Sequence, residues 1–292
     1  MRMRGSKATV QRDFGSLRSY SPEASPFLKW AGGKAQLLAQ LSPFFPSEFG
    51  TYFEPFLGGG AVFFHLRPDR AILADSNPEL INVFQVVRDD PEGLLAALDR
   101  HYPHRKSETY FYKVRKQNPA ELSVVERAAR TIFLNKTCYN GLWRVNAKGE
   151  FNVPFGKYKN PNLYSAENIA ATSALLHGKI VTIGDYRVIC EYARKDDFVY
   201  LDPPYQPLSA TASFTGYTVE AFGESEQKEL AVVFRKLDEH GCKVMLSNSA
   251  TDSVKNLYQG YRLGRVQAKR AINSQASGRG AIDEFLIMNY GE

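Results

Sequence analysis

The stretch from Thr51 to Asp75 limits what this chain can fold into more than any other. Thr51-Tyr52-Phe53-Glu54-Pro55-Phe56 is aromatic and β-branched enough to be a strand, Leu57-Gly58-Gly59-Gly60 reads as a turn, and Ala61 to Leu66 as the helix behind it. Arg70 to Asp75 supplies a second strand ending in a carboxylate. Pro78 then falls in the first turn of a further helix, with Ser76 or Asn77 as its cap. This is a βαβ unit, and it commits the chain to a sheet with parallel strands.

Such a unit holds a nucleoside cofactor: glycines let the ligand approach the backbone, and the acid on the second strand accepts ribose hydroxyls. Glu54 and Asp75 are 21 residues apart, near the offset of about 20 expected of such units. The glycines are consecutive rather than spaced as G-x-G-x-x-G, so a pyrophosphate is poorly supported. A cofactor with a nucleoside and no phosphate, such as S-adenosylmethionine, fits as well. Gly32-Gly33-Lys34 is not a phosphate-binding loop, because the first glycine is missing and Ala35 follows the lysine. A plain helix cap is the alternative for Asp75, and a solvated lysine the alternative for Lys34.

At 292 residues and 43% hydrophobic content, the chain can bury one large α/β core with an insertion. Ordered sequence begins near Pro26, and Lys34 to Leu41 reads as a short helix. From about Asp89 to Asn135 the pattern is helical and charged. It then gives way to NKTCYNGLWRVNAKGEFNVPFGKYKNPN, a block of Asn, Gly, Lys and aromatics without core-like periodicity. Strands return at Lys179 to Ile183, Phe198 to Leu201 and Cys242 to Ser247. The last of these follows a helix with Leu230, Val233, Phe234 and Leu237 on one face and Gly241 past its end. Phe285 to Tyr290 is a final strand. The expected fold is α/β, a doubly wound, mostly parallel Rossmann-like sheet in two chain segments, 26–89 and 169–292, with a mainly helical insertion at 90–168. Residues 1–25 read as a disordered basic tail.

No apolar run is long enough to cross a membrane, and the tail lacks the apolar centre of a secretory signal, so the expectation is a soluble, cytoplasmic, unexported protein. Cys138, Cys190 and Cys242 are few and far apart, which suggests neither a disulfide framework nor a metal site. The net charge of +6 favours a polyanionic partner without proving one.

Phe198-Val199-Tyr200-Leu201 ends in Asp202-Pro203-Pro204-Tyr205, where the prolines remove backbone donors and stop the strand. Asp202 therefore sits at the carboxyl edge of the sheet, where ligands bind in open α/β folds. Two acceptors, the Asp202 carboxylate and the Pro203 carbonyl, can engage both N–H groups of an exocyclic base amine and return lone-pair density to a poor nucleophile. Tyr205 offers a face for stacking the base. Methylation at carbon would need a thiolate, usually presented after proline, and Thr137, Ile189 and Gly241 precede the three cysteines.

Taken together, FLKWAGGK, FEPFLGGGAVF, ADSNPELI, YNGLWRVNAKGEFNVPFGKYKNP, GDY and YLDPPY resemble, in order, the motifs of the Dam-type, or D12-class, DNA adenine-N6 methyltransferases, from about Phe27 to Tyr290. The resemblance implies a methyltransferase sheet in which Trp30, Lys34, Asp75 and Asp202 contact S-adenosylmethionine, Glu54 to Gly60 (with Gly58 among them) lie beside its methionine part, and Asp185 and Tyr186 near its adenine. It also implies that Asp202, Pro203 and Tyr205 hold the target base. The insertion then resembles the family's target-recognition domain for double-stranded DNA, with Tyr139, Asn140, Leu142, Arg144 and Pro154 reading the site, which similarity to members of that specificity gives as GATC. Independently, Asn152 can pair with base edges, Lys148, Lys157 and Lys159 can meet phosphates, and Tyr139 or Trp143 can wedge into the stack. Lys269, Arg270 and Arg279 can grip DNA or close over the site, or belong to a merely mobile loop. A monomer able to carry the whole site, working at the nucleoid, is expected. Two alternatives stay open: an inactive DNA-binding homologue, and a methyltransferase of RNA or of cytosine N4.

Overall fold

The computed structural model describes residues 23–204, 222–269 and 281–291. Tyr205, Arg270 and Arg279 lie outside these, so the expectations attached to them have no structural counterpart.

Seven strands form one sheet: β1 (Tyr52–Glu54), β2 (Ala71–Asp75), β3 (Ile180–Ile183), β4 (Phe198–Leu201), β5 (Lys243–Ser249), β6 (Arg262–Lys269) and β7 (Ala281–Met288). Their order is β3-β2-β1-β4-β5-β7-β6. β1 pairs in parallel with β2 on one side and β4 on the other, with Tyr52 opposite both Ala71 and Phe198. β7 runs antiparallel between β5 and β6. The strand order therefore reverses at β1 and β4, and a crevice opens beyond their carboxyl ends. β6 was not anticipated: RLGRVQAK carries three basic residues in eight and reads as a surface segment until β7 supplies its partner.

The helices are α1 (Leu38–Leu41), α2 (Ala61–Leu66), α3 (Pro78–Asp89), α4 (Pro91–His101), α5 (Glu108–Arg115), α6 (Val124–Thr137), α7 (Ala166–Leu176), α8 (Tyr186–Cys190), α9 (Glu224–Glu239) and α10 (Asp252–Leu257). The expected helix at Lys34 begins as a 3-10 turn, Lys34–Gln36, ahead of α1. Asn77, rather than Ser76, caps α3, accepting from the backbone N–H groups of Glu79 and Leu80. Gly241 takes φ of +77° beyond α9, as a helix-ending glycine should.

Alternate strand residues face opposite layers. Tyr52, Leu73, Phe198 and Tyr200 pack under α2, α3, α4, α6 and α7. Phe53, Ala74, Val199 and Leu201 pack under α8, α9 and α10. A third cluster joins Phe111, Phe133, Leu134 and Cys138 to Trp143, Phe151, Val153 and Leu163. α6 serves two of these, with Ala128, Ala129 and Ile132 in the sheet core and Phe133 and Leu134 in the third cluster.

That third cluster corrects the reading of the Asn/Gly/Lys-rich block as coreless. A short ribbon, bridged at Cys138–Phe155 and Val145–Phe151, turns Phe151 and Val153 inward while Arg144 and Pro154 stay exposed. The alternation lasts only a few residues on each side, too few to stand out in sequence. It also removes Trp143 as a base wedge, since this side chain is buried.

Candidate active site

The site lies at the reversal point of the sheet. β1 ends in Glu54, and the turn behind it is closed by Gly60 N–H donating to Leu57 O (2.7 Å) and Leu57 N–H donating to Ala74 O (2.9 Å). Gly58 has φ of +49°, and a Cβ placed there would stand 3.0 Å from Trp30 Cδ1, so the indole lies directly on the turn. Asp75, at the end of β2, accepts from Gly58 N–H through Oδ2 (3.0 Å) and from Asn77 N–H through Oδ1 (2.9 Å). Burial raises its pKa and these backbone bonds oppose the rise. The helix cap is Asn77, so Asp75 is not the cap. The carboxylate, with about four acceptor sites, keeps capacity for a ligand.

Asp202 follows β4 directly. Lys34, buried rather than solvated, places Nζ 2.7 Å from Asp202 Oδ1, 3.1 Å from Gly32 O and 3.8 Å from Glu284 Oε2. Glu54 is buried too and accepts from Tyr52 Oη at 2.9 Å. Burial above all, then the charge of Asp202, pushes the Glu54 carboxyl up to about 8 against the pull of the Tyr52 hydrogen bond. Acidic groups thus outnumber basic ones in the pocket, where Glu54, Asp75, Asp185, Asp202 and Glu226 face Lys34 and Arg187. A ligand carrying positive charge suits that balance.

At the other end, Asp185 caps α8, accepting from Arg187 N–H (2.8 Å) and from Arg187 Nη1 (2.8 Å). Tyr186 stacks on Phe56 with ring centroids 5.1 Å apart and 28° between planes, and Phe222 stands against both. The Tyr186 hydroxyl is buried without a hydrogen-bond partner among the described residues. Burial raises this phenol to about 12, so it is a neutral donor. Acid end, glycine floor and aromatic end line one cavity of about 830 Å³. Such a cavity, with the Asp75 carboxylate on one side and an aromatic slot at Tyr186, has the size and the groups to take a nucleoside with a cationic side arm.

The structure brings Trp30, Lys34, Glu54, Gly58, Asp75, Asp185, Tyr186, Asp202 and Pro203 together around this cavity. It adds Phe222 and, beside Lys34, Glu284. Neither carried a sequence signal, since each reaches the site only through its place on the sheet or its neighbouring loop.

The residues expected to read DNA lie apart, on the ribbon. Tyr139, Asn140, Arg144, Pro154 and Lys157 are exposed, while Leu142 and Asn152 are half-buried. Arg144 Nε donates to Asn152 Oδ1 at 2.7 Å, and Asn152 N–H to Arg144 O at 3.0 Å. Asn140 and Lys157 have left-handed backbone, with φ of 54° and 51°. From behind, Arg115 Nη1 donates to Val153 O at 3.1 Å. Trp143 stacks on Trp30, centroids 6.1 Å apart at 22°, so ribbon and cavity share a wall.

Fold and site define an α/β protein with an acid-lined, aromatic-ended cavity of about 830 Å³ at the carboxyl edge of its sheet. Residues 30–272 match the D12 class N6 adenine-specific DNA methyltransferases. Type II methyltransferase M.MjaIII of Methanocaldococcus jannaschii is 44% identical over 288 residues, covering 92% of this chain and 100% of that protein. Type II methyltransferase M1.LlaDCHI of Lactococcus lactis subsp. cremoris is 41% identical, covering 91% and 95%. A DNA adenine methylase of Haemophilus influenzae is 34% identical, covering 90% and 93%. The chain belongs to the D12 class family and is an adenine-N6 DNA methyltransferase. Among the described residues no helix is long and apolar enough to cross a membrane, and no cluster of side chains could hold a metal ion.

Proposed function

We propose that this protein transfers the methyl group of S-adenosylmethionine to N6 of adenine in GATC sites of double-stranded DNA, acting on a base turned out of the helix. The observation that carries the reading is the Asp202 carboxylate, held 2.7 Å from Lys34 at the mouth of a cavity with a nucleoside end and an acidic end. Trp30, Lys34 and Gly58 line the middle of the cofactor site, with Asp75 accepting ribose hydroxyls. Asp185 and Tyr186 hold the adenine, and Glu54 stands beside the ammonium of the methionine arm.

When bound, S-adenosylmethionine supplies an electrophilic methyl carbon on sulfur. Asp202 and the Pro203 carbonyl would accept the two N–H groups of the target amine and withdraw its lone pair from the ring; as the nitrogen takes the methyl group and S-adenosylhomocysteine leaves, it gives up one of those protons along its hydrogen bond. Lys34 fixes the carboxylate's position without supplying a proton to the reacting nitrogen. Placement of this kind provides on the order of 7–11 kcal/mol of barrier lowering. Tyr205 is proposed as the stacking face for the extruded base, whose removal from the duplex costs a few kcal/mol.

Residues 90–168 are proposed as the target-recognition region and 26–89 with 169–292 as the catalytic part, in a chain that works as a monomer. A two-stranded ribbon fits the major groove, where Arg pairs with guanine and Asn with adenine. Tyr139, Asn140, Leu142, Arg144, Asn152 and Pro154 are the proposed readers, with Lys157 on a phosphate. The similarity of YNGLWR and GEFNVPFG to GATC-specific members supports that site.

The test is incubation with methyl-labelled S-adenosylmethionine and unmethylated plasmid, followed by methylation-sensitive digestion at GATC and sequencing of N6-methyladenine. Label confined to GATC is expected. Label at another sequence would keep the chemistry and overturn the site.

A further inference from the structure

Asn135, in the last turn of α6, is fully buried and not part of the cavity. Its amide joins three segments. Oδ1 accepts from Lys29 N–H at 2.9 Å, and Nδ2 donates to Lys29 O at 2.6 Å and to Gly141 O at 3.2 Å. Gly141 closes the turn that carries Tyr139 and Asn140, with φ of +64°, and a Cβ there would stand 2.4 Å from Lys29 Cδ. Lys29 therefore lies flat against the turn, its ammonium 4.3 Å from the Tyr158 ring. A side chain that satisfies both backbone groups of one residue and a carbonyl of another sets their register, because slippage would strand buried polar groups.

The register continues into the cavity. Trp30 stacks on Trp143 and covers Gly58. Trp30 O accepts from Gly33 N–H at 3.3 Å, closing the turn that delivers Lys34 to Asp202. An unbroken set of contacts thus runs from the Tyr139–Gly141 turn through Asn135 and Lys29 to the cofactor floor and the Lys34–Asp202 pair. Among the described residues, its hydrogen-bonded crossing from the turn to Lys29 is the Asn135 amide.

We propose that Asn135 is a positioning residue that couples engagement of DNA by the ribbon to engagement of cofactor by Trp30 and Lys34. The proposal rests on reading the ribbon as the DNA-recognition element. It touches neither substrate nor reacting atoms, and its effect is an interaction energy between two sites, which is reciprocal by thermodynamic linkage.

The chain has two tryptophans, Trp30 and Trp143, so intrinsic tryptophan fluorescence reports on this junction and on ligand arriving at the cavity wall that Trp30 forms. The experiment titrates S-adenosylhomocysteine into the intact protein alone, then with a saturating duplex carrying the methylated site mapped by sequencing, then with a scrambled duplex. In the wild type the cognate duplex should tighten S-adenosylhomocysteine by about 5-fold or more, within the usual range of such couplings. Asn135→Ala should bring that factor to within about 2-fold of unity while changing the affinity for S-adenosylhomocysteine alone far less, which loss of general stability would not do. Asn135→Ser, which keeps one hydrogen-bonding group, answers the same question if the alanine variant does not fold. An unchanged factor in the folded variant, or no coupling in the wild type, overturns the proposal. Equal coupling by the scrambled duplex overturns it as well, and puts the failure in the reading of the ribbon, which an unaltered site preference in Arg144→Ala would show independently.

Discussion

Lys34 Nζ and Asp202 Oδ1 meet at 2.7 Å across 168 residues of chain, joining the turn before α1 to the end of β4. The pair is largely shielded, with 4% and 18% of the side chains exposed. It places a carboxylate at the carboxyl edge of the sheet, where the strand order reverses between β1 and β4 and opens a crevice.

Asp202→Asn should reduce kcat by at least about 100-fold, the usual cost of losing one well-placed electrostatic contact to a reacting group. The amide keeps the shape and offers one acceptor in place of two. DNA affinity by gel shift and the thermal midpoint should change little. Wild-type turnover in this variant would remove Asp202 from the chemistry.

Glu54 makes the stability of the cofactor-free enzyme depend on pH. Its folded-state pKa of about 8 lies above the ordinary 4.5, so between those values the folded state binds more protons than the unfolded state. Its stabilising contribution is full below the lower value and is lost as pH rises toward the upper one. Glu54→Gln should therefore raise the thermal midpoint relative to wild type at pH 8, and the gap should close toward pH 5. Parallel melting curves at both pH values would show that Glu54 is not protonated in the folded enzyme.

Gly58→Ala should weaken cofactor binding by roughly 10-fold, read by calorimetry. A left-handed backbone costs a non-glycine residue about 1–2 kcal/mol, and the new methyl group would press on Trp30 Cδ1 from 3.0 Å. Wild-type affinity would mean that the indole does not form the floor of the site.

Arg144→Ala should relax sequence preference rather than abolish methylation. A good bidentate base contact supplies about 1–3 kcal/mol of discrimination, so the ratio of rates on the preferred site and on a site changed by one base pair should fall about 5-fold or more. An unchanged ratio in sequencing of methylated plasmid would place the reading contacts elsewhere.

Much of the site was legible before any coordinate, because its chemistry is local. Glu54, Gly58 and Asp75 belong to one βαβ unit, and Asp202 and Pro203 are consecutive, so strand ends and glycine turns announce them. Lys34 was legible only through family resemblance, because its spacing fits no phosphate loop and its partner is distant. Phe222 and Glu284 were not legible, since the first acts through the faces of Phe56 and Tyr186 and the second through an antiparallel neighbour. Trp143 was misassigned for a related reason: an exposed-looking ribbon buries alternate residues once Phe111 and Phe133 lie beneath it.

The parallel α/β class, the glycine turn, the acids that end β1 and β2 and follow β4, and the proline stop after Asp202 could all be read from the chain, because each rests on contacts between near neighbours or on the fixed φ of proline. Tertiary structure alone decided that β6 joins the sheet, that Glu54 is buried enough to hold a proton, and that the Asn135 amide binds Lys29 to Gly141. Those outcomes depend on burial and on hydrogen bonds between segments far apart in the chain, and neither quantity exists until the segments are packed together.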